Sequence, residues 1–195
     1  MLNNASELLF LIGTALGFVI RIFYAKRIKL GKIIDSRKMG GDSLLMFLSF
    51  IGWMVLPLIY LLTPLLDFAD FQLPSGTSLI GVVFLVLALW LLWRAPADLG
   101  DNWSTRLHIR ESHSLVTYGI YGYIRHPIYA AHWLWGIAQA LLLQNWIAGL
   151  SALASFAPLY FLRVPNEEQM MLNHFGEEYR NYVQRTGRIF PRIRR

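Results

Sequence analysis

The feature that most restricts this chain is a series of apolar runs, residues 8–24, 44–62, 78–93, 128–143 and 146–162, with every lysine and arginine placed on one side of it. Crossing about 30 Å of hydrocarbon takes about 20 helical residues, so the first three runs read as transmembrane helices. The last two, of 16 and 17 residues, are separated only by Gln144 and Asn145 and read as a tight helical hairpin. Seven Lys/Arg lie between Arg21 and Lys38, four between Arg94 and Arg125, and seven between Arg163 and Arg195, which accounts for all 18. The connectors 63–77 and 144–145 carry none. Five crossings put all the basic segments on one face, and the positive-inside rule makes that face cytosolic, with the N-terminus outside. The expectation is an all-α, polytopic integral membrane protein, a single domain over residues 1–195 with five transmembrane helices, a C-terminal hairpin and cytosolic regions 94–127 and 163–195.

Composition agrees: 55% of the residues are hydrophobic and 15% charged, too apolar for a soluble domain of 195 residues. The net charge of +6 then belongs to a face meeting anionic lipid headgroups, not to nucleic acid. With no cysteine, thiol chemistry and disulfides are excluded. The first run is read as a retained span and not a signal peptide, because its positive charges follow the apolar stretch. Its Gly13 and Gly17 permit close helix approach. Pro57 predicts a kink in the second span. After the fifth, Val164-Pro165-Asn166 predicts a helix break, with Asn166 capping a new amphipathic helix, Gln169 at the capping-box position, and Gly176 bending or ending it.

Leu115 to Tyr129 is polar, aromatic and glycine-bearing, and it ends in Arg125-His126-Pro127 just before an apolar run. Proline suits a first helical turn, so a helix is expected to start at Pro127, and its unpaired N–H groups offer an anion site beside His126 and Tyr129. The hairpin returns the chain to its own start, making Arg125 and His126 neighbours of Arg163 and Glu167. Taken alone, Arg163 is equally an interfacial anchor paired with phosphate or Glu167, and Tyr118, Tyr121, Tyr123 and Tyr129 are equally a membrane-interface belt. His113, His126 and His132 lack metal-ligand spacing, and neither a Gly-x-Ser-x-Gly elbow nor a Gly-x-Gly-x-x-Gly loop is present.

Together, His113-Ser114-Leu115-Val116, Gly119-Ile120-Tyr121, Arg125-His126-Pro127-Ile128-Tyr129, Arg163 with Glu167-Glu168, and Phe175-Gly176-Glu177-Glu178-Tyr179 with Tyr182 resemble the isoprenylcysteine carboxyl methyltransferase family. The resemblance covers roughly residues 95–195. It implies a membrane enzyme that uses S-adenosylmethionine to methylate the C-terminal carboxylate of a prenylated cysteine. By that analogy His113, Ser114, Leu115, Val116, Tyr121, His126, Pro127, Ile128, Tyr129 and Glu167 hold the cofactor, and Arg163 contacts the acceptor carboxylate as the catalytic and substrate-binding residue. Whether Arg185 or Arg188 joins it stays open. The lipid-bearing acceptor is expected to enter from the bilayer. The alternatives are a phospholipid or other small-lipid methyltransferase, more distantly an NADPH-dependent membrane sterol reductase, and a noncatalytic membrane binding protein.

Overall fold

A computed structural model describes residues 5–27, 33–36, 41–74, 76–102, 108–110 and 114–192. Helices make up nearly all of it: α1 (Ala5–Ala25), α2 (Asp42–Phe50), α3 (Leu56–Leu62), α4 (Thr77–Leu99), α5 (Pro127–Leu143), α6 (Ser151–Phe175) and α7 (Glu177–Arg185). The all-α expectation needs one addition, a short antiparallel ribbon of β1 (Ile33–Ser36) and β2 (His108–Arg110). Its strands come from two of the basic segments assigned to one face.

Three stretches are long and apolar enough to cross a membrane: Ala5–Ala25, Asp42–Leu62 and Thr77–Asn102. Their outer faces carry large apolar side chains, with Val19 63%, Val83 57% and Leu79 71% exposed, as suits a lipid solvent. The protein is an integral membrane protein. Inside, α4 lies along α5, and Phe10, Leu85, Ala88, Trp135, Ala138 and Leu142 form the main core between α1, α4 and α5.

The proline in the second span acts one step earlier than a simple kink. Residues Ile51–Val55 form a π-helical turn in which the Leu56 N–H reaches back to the Ile51 carbonyl. The next donor in that register is Pro57, which has no N–H, so the Gly52 carbonyl is left without a helical partner. Ser151 Oγ donates to it at 2.6 Å and the buried Gln139 Nε2 at 3.1 Å. This pairing pulls the π turn onto α6 so closely that a Cβ at Gly52 would collide with Ser155 Oγ and the Ser151 carbonyl.

The hairpin turn is longer than its sequence suggested. α5 ends at Leu143, Gln144 takes a left-handed conformation (φ 45°), and α6 begins only at Ser151, not at Trp146. Asn145 organises the gap: its side chain donates to Leu66 O (2.7 Å) and Asp70 Oδ1 (2.8 Å), and its carbonyl oxygen accepts from the Ile147 and Ala148 N–H groups. The Phe71 N–H donates to Gln144 O at 2.8 Å. The hairpin turn and the acidic connector after α3 are thus tied together at one end of the molecule.

At the other end, α6 does not break. It runs through Pro158 and Pro165 to Phe175, so Asn166 is no cap but a mid-helix residue whose side chain donates to Leu162 O at 2.7 Å. Gln169 pairs with Asn173 instead of closing a capping box. An interior proline costs about 3 kcal/mol. Here ion pairs on both sides of Pro165 hold the helix across it. Gly176 (φ 53°) ends it as expected, and α7 follows.

Candidate functional site

One cavity of about 480 Å³ opens where the ends of α1, α5 and α6 meet the segment before α5. Ser114, Leu115, Val116, Tyr121, His126, Pro127, Ile128, Tyr129, Arg163 and Glu167 all line it. His113 lies outside the described residues. Sequence reasoning assigned no site role to further lining residues, among them Arg21 and Tyr24 from α1, Met46 and Trp53 from the second span, and Tyr179 and Tyr182 from α7.

α5 starts at Pro127, so the Ile128 and Tyr129 N–H groups of its first turn lack helical acceptors, while the Ala130 N–H donates to His126 O. What fixes this helix start is the C-terminal tail. The Arg125 and His126 N–H groups donate to the Gly187 and Arg188 carbonyls, each at 2.9 Å, and the Gly187 N–H donates to Tyr123 O at 3.1 Å. Tyr182 Oη donates to the Tyr121 carbonyl at 2.7 Å, and Arg125 Nη1 reaches Thr186 O at 2.5 Å. The C-terminal helix α7 and the tail after it therefore pack on the 121–126 segment.

The preceding turn, Gly119–Gly122, is set by Asp98 at the end of α4. The buried carboxylate accepts the Ile120 N–H at 2.7 Å and pairs with Arg94 at 3.0 Å. Gly119 (φ 60°) sits so close to it that any side chain would strike Asp98 Oδ2.

Two adjacent carboxylates divide the mouth. Glu167 Oε1 accepts from Tyr129 Oη (2.6 Å) and from Arg163 Nε (3.0 Å), while Oε2 faces His126 Nδ1 across 3.7 Å. Arg163 and Glu167 thus form an i,i+4 pair on unbroken helix, correcting the expectation that Pro165 would separate them. Glu168 is the residue whose role the sequence hid. Its Oε1 meets Arg125 Nη2 (3.1 Å), His126 Nε2 (3.3 Å) and Arg188 Nε (3.2 Å), and its Oε2 meets Arg188 Nη2 (2.5 Å). Burial opposes its charge, but hydrogen bonds from His126 and Arg188 and the charges of His126 and Arg125 outweigh it and hold the carboxyl at about 2. Arg188 is thereby committed to Glu168.

Glu168 builds the mouth, and Glu167 lines the cavity with its Oε2 3.7 Å from His126 Nδ1. Among the described residues no group of His, Asp and Glu is arranged to hold a metal.

A family model described as the isoprenylcysteine carboxyl methyltransferase (ICMT) family matches residues 79–173, from α4 to the last turn of α6. A probable protein-S-isoprenylcysteine O-methyltransferase of Oryza sativa subsp. indica is 25% identical over 175 residues, 88% of this chain and 92% of that protein. The protein-S-isoprenylcysteine O-methyltransferase of Homo sapiens is 31% identical over 119 residues, 60% of this chain but 42% of its own length. A solved structure of a eukaryotic intramembrane Ras methyltransferase ICMT superposes with a TM-score of 0.54 at 27% identity, covering 77% of this chain and 52% of that one. Family model, relatives and fold all show similarity to the isoprenylcysteine carboxyl methyltransferase family.

Proposed function

We propose that the protein transfers a methyl group from S-adenosylmethionine to the C-terminal carboxylate of a prenylated cysteine, within the cavity described above. The observation that carries this reading is the convergence of the 114–129 segment, Arg163 and Glu167 on one cavity whose other wall, Phe18, Met46, Phe50 and Met54, is apolar and belongs to the membrane helices. A water-soluble donor and a lipid-bearing acceptor need that combination.

The residues fit the donor. Glu167 Oε2, 3.7 Å from His126 Nδ1, suits an ammonium, the first-turn N–H groups of α5 suit a carboxylate, and Tyr121, Tyr179 and Tyr182 offer aromatic faces to a nucleoside. The bound cofactor supplies an electrophilic methyl on a sulfonium. A carboxylate is already nucleophilic at neutral pH, so this chain need provide no strong base; it must align the acceptor oxygen and exclude water, and alignment supplies about 7 to 11 kcal/mol of barrier lowering. Arg163, with a planar guanidinium beside Glu167, is placed to grip the acceptor's carboxylate.

The same reading includes five crossings, with α5 and the first part of α6 as the hairpin, the mouth in the cytosol and the N-terminus outside. It is supported by the 18 basic residues and by the hydrogen bonds tying the hairpin turn to the acidic connector at the opposite end.

Isothermal titration of the purified protein with S-adenosylhomocysteine tests the donor. One-to-one binding is expected; no heat, or a preference for NADPH, would contradict it.

A further inference from the structure

The charges around Arg163 do not balance for an anionic acceptor. Its guanidinium faces Glu167 at 3.0 Å and Asp42 Oδ1 at 3.9 Å, two carboxylates for one cation. A third carboxylate brought to Arg163 would meet a neighbourhood whose positive charge is already matched, where an uncompensated charge is costly. A further cation from the protein would offset it.

Arg21 on α1 lines the same cavity. Thr14, Gly17, Phe18, Arg21 and Tyr24 line it together, at the three- and four-residue spacing of one helix face. Val19 and Ile22, 63% and 52% exposed, point elsewhere on the helix. Among the described residues Arg21 makes no hydrogen bond or ion pair, and it shares the cavity lining with Arg163, another cation. Two guanidiniums lining one cavity, one of them without a carboxylate of its own, suit an anion.

We propose that Arg21 is a second substrate-binding residue, closing with Arg163 on the acceptor's carboxylate from the opposite wall of the cavity. The inference rests on the carboxyl-methyltransferase reading and adds to it a residue outside the segment matched by the family model. Arg163 is held by Glu167 and positions one oxygen. Arg21, free of any carboxylate of its own, neutralises the acceptor and favours acids over neutral or zwitterionic lipids.

Two variants separate this role from membrane anchoring. Arg21→Gln removes the cation, and Arg21→Gln combined with Ile22→Arg restores an arginine at the same depth on a lipid-facing position. Each is titrated with S-adenosylhomocysteine and assayed for methylation of a farnesylated N-acetylcysteine, and the inhibition constants of a nonreactive farnesylcysteine-like acid and its carboxamide are compared. In both variants we expect cofactor affinity within about twofold of wild type, an acceptor KM raised tenfold or more, and loss of most of the acid-over-amide preference. That preference is a ratio within one protein, so it survives a partial loss of folded material. Recovery in the double variant, or an unchanged preference in Arg21→Gln, would overturn the role. If wild type itself fails to methylate the acid, the underlying reading fails instead.

Discussion

Glu167 and Arg163 touch each other at 3.0 Å, and that contact decides what their substitutions should do. Glu167→Gln keeps the shape but removes the charge offered to the cofactor's ammonium, and a hydrogen bond involving a charged group is worth about 1.5 to 3 kcal/mol. S-adenosylhomocysteine should bind at least tenfold more weakly. Arg163→Lys keeps the charge but loses the planar fork, so the larger effect should fall on the acceptor, with turnover cut or KM raised tenfold or more and a smaller change in cofactor affinity. Calorimetry and steady-state kinetics on the two proteins check the crossing pattern; equal effects on both ligands in both proteins would erase the assignment. Glu168 calls for a different test. Its carboxyl is held at about 2 against an ordinary value of 4.5, so the folded state favours the ionised form. The stabilisation is full above about pH 4.5 and drains away as pH falls toward about 2. Thermal unfolding in nanodiscs should show this acid loss in wild type and a flatter profile in Glu168→Gln; identical profiles would remove Glu168 from the cluster. The sequence made Glu167 legible through its resemblance, whereas Glu168 differs only by the helix face it occupies. Asp98 was invisible for a similar reason: nothing in Arg94-to-Asp98 announces a carboxylate aimed 22 residues ahead at the Ile120 N–H.

At the scale of elements, hydrophobic period and proline position located α1, the second span, the start of α4 and the start of α5 well, because each is set by local chemistry, whereas α4 runs on to Leu99, past the expected end at Trp93. The misreadings have one cause. Pro165 was expected to end a helix because proline locally does so, yet long-range ion pairs from Glu168 to Arg125 and Arg188 keep α6 continuous. The hairpin turn was expected at two residues, but Asn145 needs Leu66 and Asp70 from a distant connector to satisfy its buried amide, and that geometry takes seven residues out of helix, 144–150. The π turn at Ile51–Val55 likewise depends on Gln139 and Ser151 for the carbonyl that Pro57 leaves behind. Gly52→Ala should therefore push the second span off α6 and lower the unfolding temperature in detergent by several degrees. Equal stability of Gly52→Ala and wild type would show that the close approach contributes little.

The whole molecule is polarised: a neutral-to-acidic end made by the hairpin turn and the connector after α3, and a basic end holding the cavity mouth. This gradient was the most legible property of the sequence, since it depends on the positions of 18 basic residues and not on their contacts. Cysteine at exposed Trp146 should be labelled by an impermeant thiol reagent from outside the cell, and cysteine at Arg185 only after permeabilisation. The reverse pattern would place the mouth on the wrong side for a cytosolic methyl donor. The measurement that bears most directly on the central claim is methyl transfer from labelled S-adenosylmethionine by the wild-type protein in vesicles, offered a farnesylated N-acetylcysteine and an amine-headed phospholipid together. A carboxyl methyl ester releases its label in base, and a methylated amine does not. Base-labile label in the cysteine compound alone is the predicted result; base-stable label in the phospholipid would contradict it.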